Sequence, residues 1–373
     1  MSPRTRSGAS CRPQFGTSQT PQEIGAAASF ICVKEIRSLE SRRVKIAILG
    51  VGRLGAFHAK VLRELPGVDE LRINDADAGR AAALAKTLGA KHAPSIDAAL
   101  AGADAAVIVT PTGTHAELIR RALDEGLAVF CEKPIALDLE STRRVVDHVD
   151  KTKGRVQIGF QRRFDAGFQE ARRRVRGGHL GTVYSFHMTS RDALPPPDAY
   201  IETSGGQFVD QLIHDFDVTR WMFDEVDEVY ATGSTLGFPQ YAKWGDVATS
   251  GAVLTLRGGT VGLLDAARHN EAGYDIHVEI YGAKDAIAIG LDPRTPMSSV
   301  ERDGPKMKDP AYPTFFVRFD AAYRAELAHF LRFARGEAEN ACTVRDGMEA
   351  LRIALAARRS LKEHRPVAVK DIA

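Results

Sequence analysis

Two residue types that commonly move protons stand four apart in FVDQLIHDFDVTRWM (residues 208–222), namely Asp210 and His214. Side chains at i and i+4 share one face of a helix, and Asp217 extends the same stripe to i+7. Such a stripe supports two chemistries. The carboxylate and imidazole can bind a metal with help from remote ligands. Alternatively, the imidazole moves a proton while the carboxylate orients it or holds a substrate hydroxyl. A plainer reading is a helix-face histidine with a local hydrogen bond, because histidines are often partly buried without a function. A third group of interest lies upstream in CEKP (131–134), where Lys133 ends a β-rich run immediately before Pro134. A residue preceding proline is biased to extended geometry, which aims this ammonium off the strand end. The bland counterpart is a surface lysine paired with Glu132.

The first half supplies elements able to hold a dinucleotide. VKIAILG (44–50) reads as a buried parallel strand, feeds into GVGRLG (50–55), and is followed by the helical run AFHAKVLREL. In that context Gly50 makes a tight turn, Gly52 admits a pyrophosphate and Gly55 lets helix and strand pack closely. The helix start, Arg53 and Leu54, offers N–H groups to the anion. ELRIND (70–75) reads as the next strand and ends in Asp75, about 20 residues beyond the last glycine. A carboxylate there accepts from the adenosine ribose hydroxyls and repels a 2′-phosphate, so NAD is expected over NADP. The alternative for Asp75 is a cap on the following helix. His58, on the first helix, reads as a packing or surface residue. Strand and helix signals then alternate through AAVIVT (105–110), THAELIRRALDEG (114–126), AVFCEKP (128–134) and DLESTRRVVDHVDKT, which predicts a doubly wound parallel sheet. Ligands of such sheets sit beyond the carboxyl ends of the strands. The loop TPTGTH, with Thr110, Thr112 and His115, and the loop CEKP, with Glu132 and Lys133, are therefore expected to face the cofactor.

After VQIGFQRRFD (156–165) long strands replace the alternation: TVYSFHMTSRD (182–192), EVYATGSTL (228–236), a hairpin pair across 248–270 and another across 275–290. The turns RGGT and GAKD join hairpins. This half is expected to be an α+β domain whose largely antiparallel open sheet has one face covered by helices. Helices at 319–336 and 346–363 supply that cover or return to the first domain. The predicted organisation is an N-terminal arm over 1–43, an NAD-binding domain over 44–157 and a substrate and oligomerisation domain over 158–373.

Lys+Arg 50 against Asp+Glu 48 leaves a formal net charge of +2, which provides no electrostatic footprint for nucleic acid or an anionic membrane. The basic run ARRRV (171–175) reads as a solvated helix face. Cys11, Cys32, Cys131 and Cys342 show no paired spacing, so no disulfide framework or thiolate zinc site is expected, and a reducing cytoplasm is. Residues 1–43 are rich in Ser, Thr, Gly, Pro and Arg and read as a flexible arm. Export is disfavoured because the apolar stretch GAAASFICV lies late and charges follow it. A start near residue 40 would need a non-Met codon, at Val33 or Leu39, since the next methionine is Met188.

GVGRLG, CEKP, GFQRRFD and GGQFVDQLIHDFD, in this order and at these intervals, resemble the glucose-fructose oxidoreductase/inositol dehydrogenase (Gfo/Idh/MocA) family over about residues 44–370. SRDALPPPDAYIETSGG and HDFDVTRW bring the chain nearest the inositol 2-dehydrogenases of that family. The resemblance implies NAD-dependent oxidation of a secondary hydroxyl of a cyclic polyol, foremost myo-inositol to its 2-keto product, by a homodimer or homotetramer. It also implies that Lys133, Asp210 and His214 form the catalytic group, and it matches Tyr274 to a tyrosine that contacts the polyol. His214 is the expected base, Lys133 the group that stabilises the alkoxide, and Asp210 the acceptor that biases the imidazole. Arg162, Asp192 and Tyr274 are the further substrate candidates, and no metal is required. For Arg162 and Arg163 a structural ion pair at the domain junction is the competing expectation. ALPPP after the aspartate of SRD, and Gln161 where methionine is commoner, depart from the family pattern and leave the particular polyol open.

Overall fold

The computed structural model describes residues 43–294 and 309–373; the expected arm, with Cys11 and Cys32, lies outside these residues apart from Arg43. The first half is built as β1 (Val44–Leu49), α1 (Arg53–Glu64), β2 (Val68–Asn74), α2 (Ala78–Leu88), β3 (Lys91–His92), α3 (Ile96–Leu100), β4 (Ala105–Ile108), α4 (His115–Asp124), β5 (Ala128–Glu132), α5 (Leu139–Thr152) and β6 (Val156–Gly159). These six strands form one sheet in the order β3-β2-β1-β4-β5-β6, every neighbour parallel. That order is the doubly wound nucleotide-binding arrangement, with the chain reversing direction beside β1. β1, β4, β5 and β6 are buried along almost their whole length, which explains their unbroken apolar sequences.

The second half begins with α6 (Ala166–Arg176), β7 (Val183–Arg191), α7 (Asp198–Ser204), α8 (Gln207–Asp210) and α9 (Ile213–Met222). It continues through β8 (Val226–Ser234), β9 (Thr249–Leu256), β10 (Val261–Ala267), β11 (Asp275–Gly282), β12 (Ala286–Ile289), α10 (Phe315–Arg318), α11 (Asp320–Ala334), α12 (Val344–Glu363) and β13 (Val367–Ala368). The seven strands run in the order β12-β11-β7-β10-β9-β8-β13. All neighbours are antiparallel except β7 with β10. Alternation along β9 and β10 puts Leu254, Leu256 and Leu264 under the helices, while Val253, Val261 and Leu263 stay exposed. α12 lies on β8 on the covered face. α11 returns to the first sheet instead: Leu327, Phe330 and Leu331 share a core with Ile46, Ile48 and Phe130.

The single helix expected across 208–222 is two, α8 and α9, with Gln211 and Leu212 between them. Phe208, Leu212 and Phe216 are buried. The break changes which polar residues share a side. Asp217 does not join Asp210 and His214; it is fully buried and takes two hydrogen bonds from Arg163, at 2.8 and 2.6 Å.

Candidate active site

The carboxyl end of β1 is shaped by glycines. Gly50 has φ +87°, and a Cβ there would meet the Val109 carbonyl oxygen at 2.7 Å. A Cβ on Gly55 would come within 2.0 Å of the Gly50 oxygen, so α1 is seated directly on the turn. Gly52 is the N-cap of α1 without a side-chain capping bond, which leaves first-turn N–H groups of this helix for an outside acceptor. A Cβ on Gly52 would meet nothing within 4 Å. An open cradle over uncapped N–H groups fits a pyrophosphate. Arg53 stays at this edge with its guanidinium over Phe315 and Phe316, and Leu54 is partly buried beside it.

Asp75 follows β2 and is clamped under the glycine turn: its carboxylate accepts from Val51 N at 2.7 Å and from Asp77 N at 2.8 Å. The helix after it is capped by Asp77, which accepts from Arg80 N at 2.9 Å, so Asp75 is not the cap. Each Asp75 oxygen retains a lone pair for a ribose hydroxyl. The Arg80 guanidinium stands 3.8 Å from one of them.

Two expected cofactor contacts face the other way. His115 is buried, with Nδ1 2.8 Å from the Pro134 oxygen and Nε2 2.8 Å from the Thr110 oxygen. It ties the two loops together, and burial keeps its imidazole below the ordinary histidine range despite those carbonyls. Glu132 is turned inward onto His58 at 2.7 Å. It is therefore no salt-bridge partner for Lys133, and His58 is a packing residue with a buried partner. Thr110 and Thr112 keep to the loop surface, where the Thr110 hydroxyl accepts from Thr114 at 2.7 Å.

Lys133, at the end of β5, reaches across to α8. Its Nζ donates to the Asp210 carbonyl oxygen at 2.7 Å and approaches the Asp210 Oδ1 at 3.3 Å. The Lys133–Pro134 peptide is cis. Tyr200 donates its hydroxyl to the same Oδ1 at 2.7 Å, and Arg268 donates to Oδ2 at 3.1 Å. The second Arg268 nitrogen donates to Asp246 at 3.1 Å, and Asp246 also takes the Gln207 N–H at 2.7 Å. Burial pushes the Asp210 carboxyl up, but Lys133, Arg268 and the Tyr200 hydroxyl outweigh it and hold the group below the usual carboxylate range. Asp210 is thus a fixed anion.

His214 starts α9 with its ring edge-on to Phe160, and its Nδ1 is buried without a hydrogen-bond partner among the described residues. The expected bond from Asp210 is absent: the bonds of that carboxylate go to Lys133, Tyr200 and Arg268. Burial, then the charges of Lys133 and Arg162, drive the imidazole well below the ordinary histidine range. It is neutral at pH 7. Asp192 sits just after β7 among Asp210, Arg268, Lys133 and Arg162; burial and the Asp210 charge raise its carboxyl to about 6 against those cations.

Of the other substrate candidates, Tyr274 is buried beside Phe315 and Phe319, within electrostatic reach of Asp192 and Arg162. Arg162 falls to the ion-pair expectation. Its guanidinium is buried and donates to Asp215 at 2.7 Å and Ser190 at 3.1 Å. No cluster of three metal-ligating side chains occurs among the described residues.

Tyr200, Asp246 and Arg268 escaped the sequence reading. Arg268 had one visible signal: it continues the i, i+2 series Leu264 and Ala266 on the covered face of the sheet, where an unpaired guanidinium would not be tolerated.

A family model described as an oxidoreductase family with an NAD-binding Rossmann fold matches residues 44–160, and its companion C-terminal α/β domain model matches residues 172–369. The inositol 2-dehydrogenase of Rhizobium meliloti is 36% identical over 329 residues, covering 87% of this chain and 99% of that one. A crystal structure of a myo-inositol dehydrogenase from Corynebacterium glutamicum aligns with TM-score 0.80 at 34% identity, over 87% of this chain and 98% of its own. The scyllo-inositol dehydrogenase of Lactobacillus casei, solved with bound NAD(H) and scyllo-inositol, aligns with TM-score 0.77 at 29% identity, over 88% of this chain and 100% of its own. With both domain models matched in order along a chain that has the corresponding two sheets, this protein belongs to the Gfo/Idh/MocA oxidoreductase family.

Proposed function

We propose that this protein is an NAD-dependent dehydrogenase that oxidises a secondary ring hydroxyl of a cyclic polyol, foremost myo-inositol to its 2-keto product. The observation that carries the reading is the meeting of Lys133 from the first half with Asp210 from the second, 2.7 Å from its carbonyl oxygen, with the neutral His214 alongside. Relatives named for inositol oxidation support the choice of substrate.

Alcohol oxidation releases a hydride from carbon and a proton from oxygen. NAD, when bound, supplies the hydride acceptor. The glycine turn with Arg53 and Leu54, Asp75, and the loops of Thr110, Thr112 and Lys133 would hold it. The chain's own work is the proton. His214, neutral and partly exposed, takes it from the hydroxyl as general base. Lys133 donates to the same oxygen and stabilises the charge that develops there. Asp210 stays ionised and fixes the Lys133 ammonium. Asp192 and Tyr274 hold further hydroxyls. A metal-dependent isomerase would need a cation beside Asp210, where Lys133 and Arg268 already place two.

The reading extends to assembly. Tyr230, Val253, Leu263 and His187 lie in register across the uncovered face of the second sheet, three of them large apolar side chains at least 40% exposed. Such a surface fits a second copy of this chain. No described helix is long and apolar enough to cross a membrane. A cytoplasmic site of action goes with a soluble dehydrogenase that draws on an NAD pool.

Purified protein with NAD and a panel of inositols and aldoses tests the proposal through growth of reduced-nicotinamide absorbance. Turnover confined to an aldose would move the substrate within the family. NAD binding without turnover of any polyol or sugar would overturn the reading.

A further inference from the structure

We infer that Tyr200 reads a second hydroxyl of the substrate, adjacent to the one oxidised; this rests on the dehydrogenase reading above. Tyr200 lies on α7, in the excursion that follows Pro195, Pro196 and Pro197 between β7 and α8. The residue is 47% exposed, yet its hydroxyl reaches inward and donates to Asp210 Oδ1 at 2.7 Å. The Lys133 ammonium approaches the same oxygen at 3.3 Å.

That geometry sorts donors from acceptors. The phenolic proton is committed to a carboxylate that Lys133 and Arg268 keep ionised, so the hydroxyl presents only lone pairs to the site. A bound molecule can answer with an O–H donor and not with a carbonyl or ether oxygen. Lys133 has the opposite polarity, having protons to give and none to accept. Because both groups bond one oxygen, they stand close enough to engage neighbouring hydroxyls of one ring: Lys133 the oxygen that loses its proton, Tyr200 the next alcohol. Selectivity for a diol over a lone alcohol follows.

A purely structural role for the bond has an independent competitor on the same helix. Ile201 is 2% exposed and packs with Tyr241 and Ala248 in its own small core, which seats α7 without help from the phenol. Tyr200→Phe keeps the ring and removes only the hydroxyl.

The test compares wild type with Tyr200→Phe, using NAD, the preferred cyclic polyol and its monodeoxy analogues. Loss of a hydrogen bond linked to a charged group should raise KM about tenfold while kcat falls less than threefold or so, with the melting temperature unchanged. For the analogue lacking the hydroxyl that Tyr200 reads, the two proteins should show the same KM. An active wild type whose KM is unaltered by Tyr200→Phe, or a penalty that persists across every analogue, would overturn the assignment alone. A wild type inactive on all polyols would remove the dehydrogenase reading and this assignment with it.

Discussion

Replacing Asp192 by Asn should make the protein more stable and less active, and both effects should depend on pH. The Asp192 carboxyl is raised from 3.8 to about 6 by burial and by Asp210, against the pull of Arg268, Lys133 and Arg162. A folded-state value above the unfolded one means that the native protein keeps a proton that the unfolded chain has already released. Stability is therefore lost as pH rises from about 4 to about 6 and the loss is complete above that window. A displacement of roughly two units, at about 1.4 kcal/mol each, corresponds to about 3 kcal/mol of destabilisation at pH 7. Asp192→Asn removes that penalty, so denaturant melts at pH 7 should gain up to this amount, and the gain should vanish near pH 4. Activity carries the complementary signature. Protonated Asp192 gives up the charge-assisted bond that its carboxylate makes to a substrate hydroxyl, so wild-type kcat/KM should fall by up to about tenfold per pH unit below pH 6 or so. His214 titrates well below its ordinary range and does not set this limb. The Asn variant should be weaker at pH 7 but flat through pH 5. Equal stability of the two proteins at pH 7, together with superimposable pH profiles, would show that Asp192 carries no raised, substrate-linked carboxyl.

Other consequences are open to similar measurement. His214→Ala should lose about 100-fold or more in turnover, as expected of a lost general base, while NAD titrations stay as in wild type. Arg268→Met leaves the Asp210 and Asp246 carboxylates buried without their shared guanidinium, so chemical denaturation should show a loss of about 3–5 kcal/mol. Asp75→Ala removes the proposed ribose acceptor and leaves Arg80 in place, so the kcat/KM ratio for NAD over NADP should drop by an order of magnitude or so. Leu263→Glu puts a charge at the centre of the uncovered sheet face, and sedimentation should report a shift toward the monomer.

Much of the cofactor half was legible because its signals are local. A glycine turn, the strand before it and the helix after it are adjacent in the chain, and Gly50 and Gly55 are demanded by contacts within that short unit. The second sheet was equally readable from hairpin turns and alternation, since burial on one face repeats every two residues. Directions of polar side chains were harder. His115 and Glu132 occupy the expected loops yet turn inward, because each finds a buried partner that the loop sequence does not reveal. The helical stripe through Asp217 failed at Gln211 and Leu212, where the helix is interrupted.

Sequence alone determined the two-part architecture and the dinucleotide fingerprint, and it singled out the lysine, aspartate and histidine that we propose as the reactive group. Tertiary structure decided what surrounds Asp210. Tyr200 lies 10 residues away and Arg268 58 residues away, on different elements, and only folding brings both onto one carboxylate. Backbone periodicity is a property of neighbours in the chain. The charge state of a buried acid is a property of neighbours in space, set by cations and donors that no local pattern predicts.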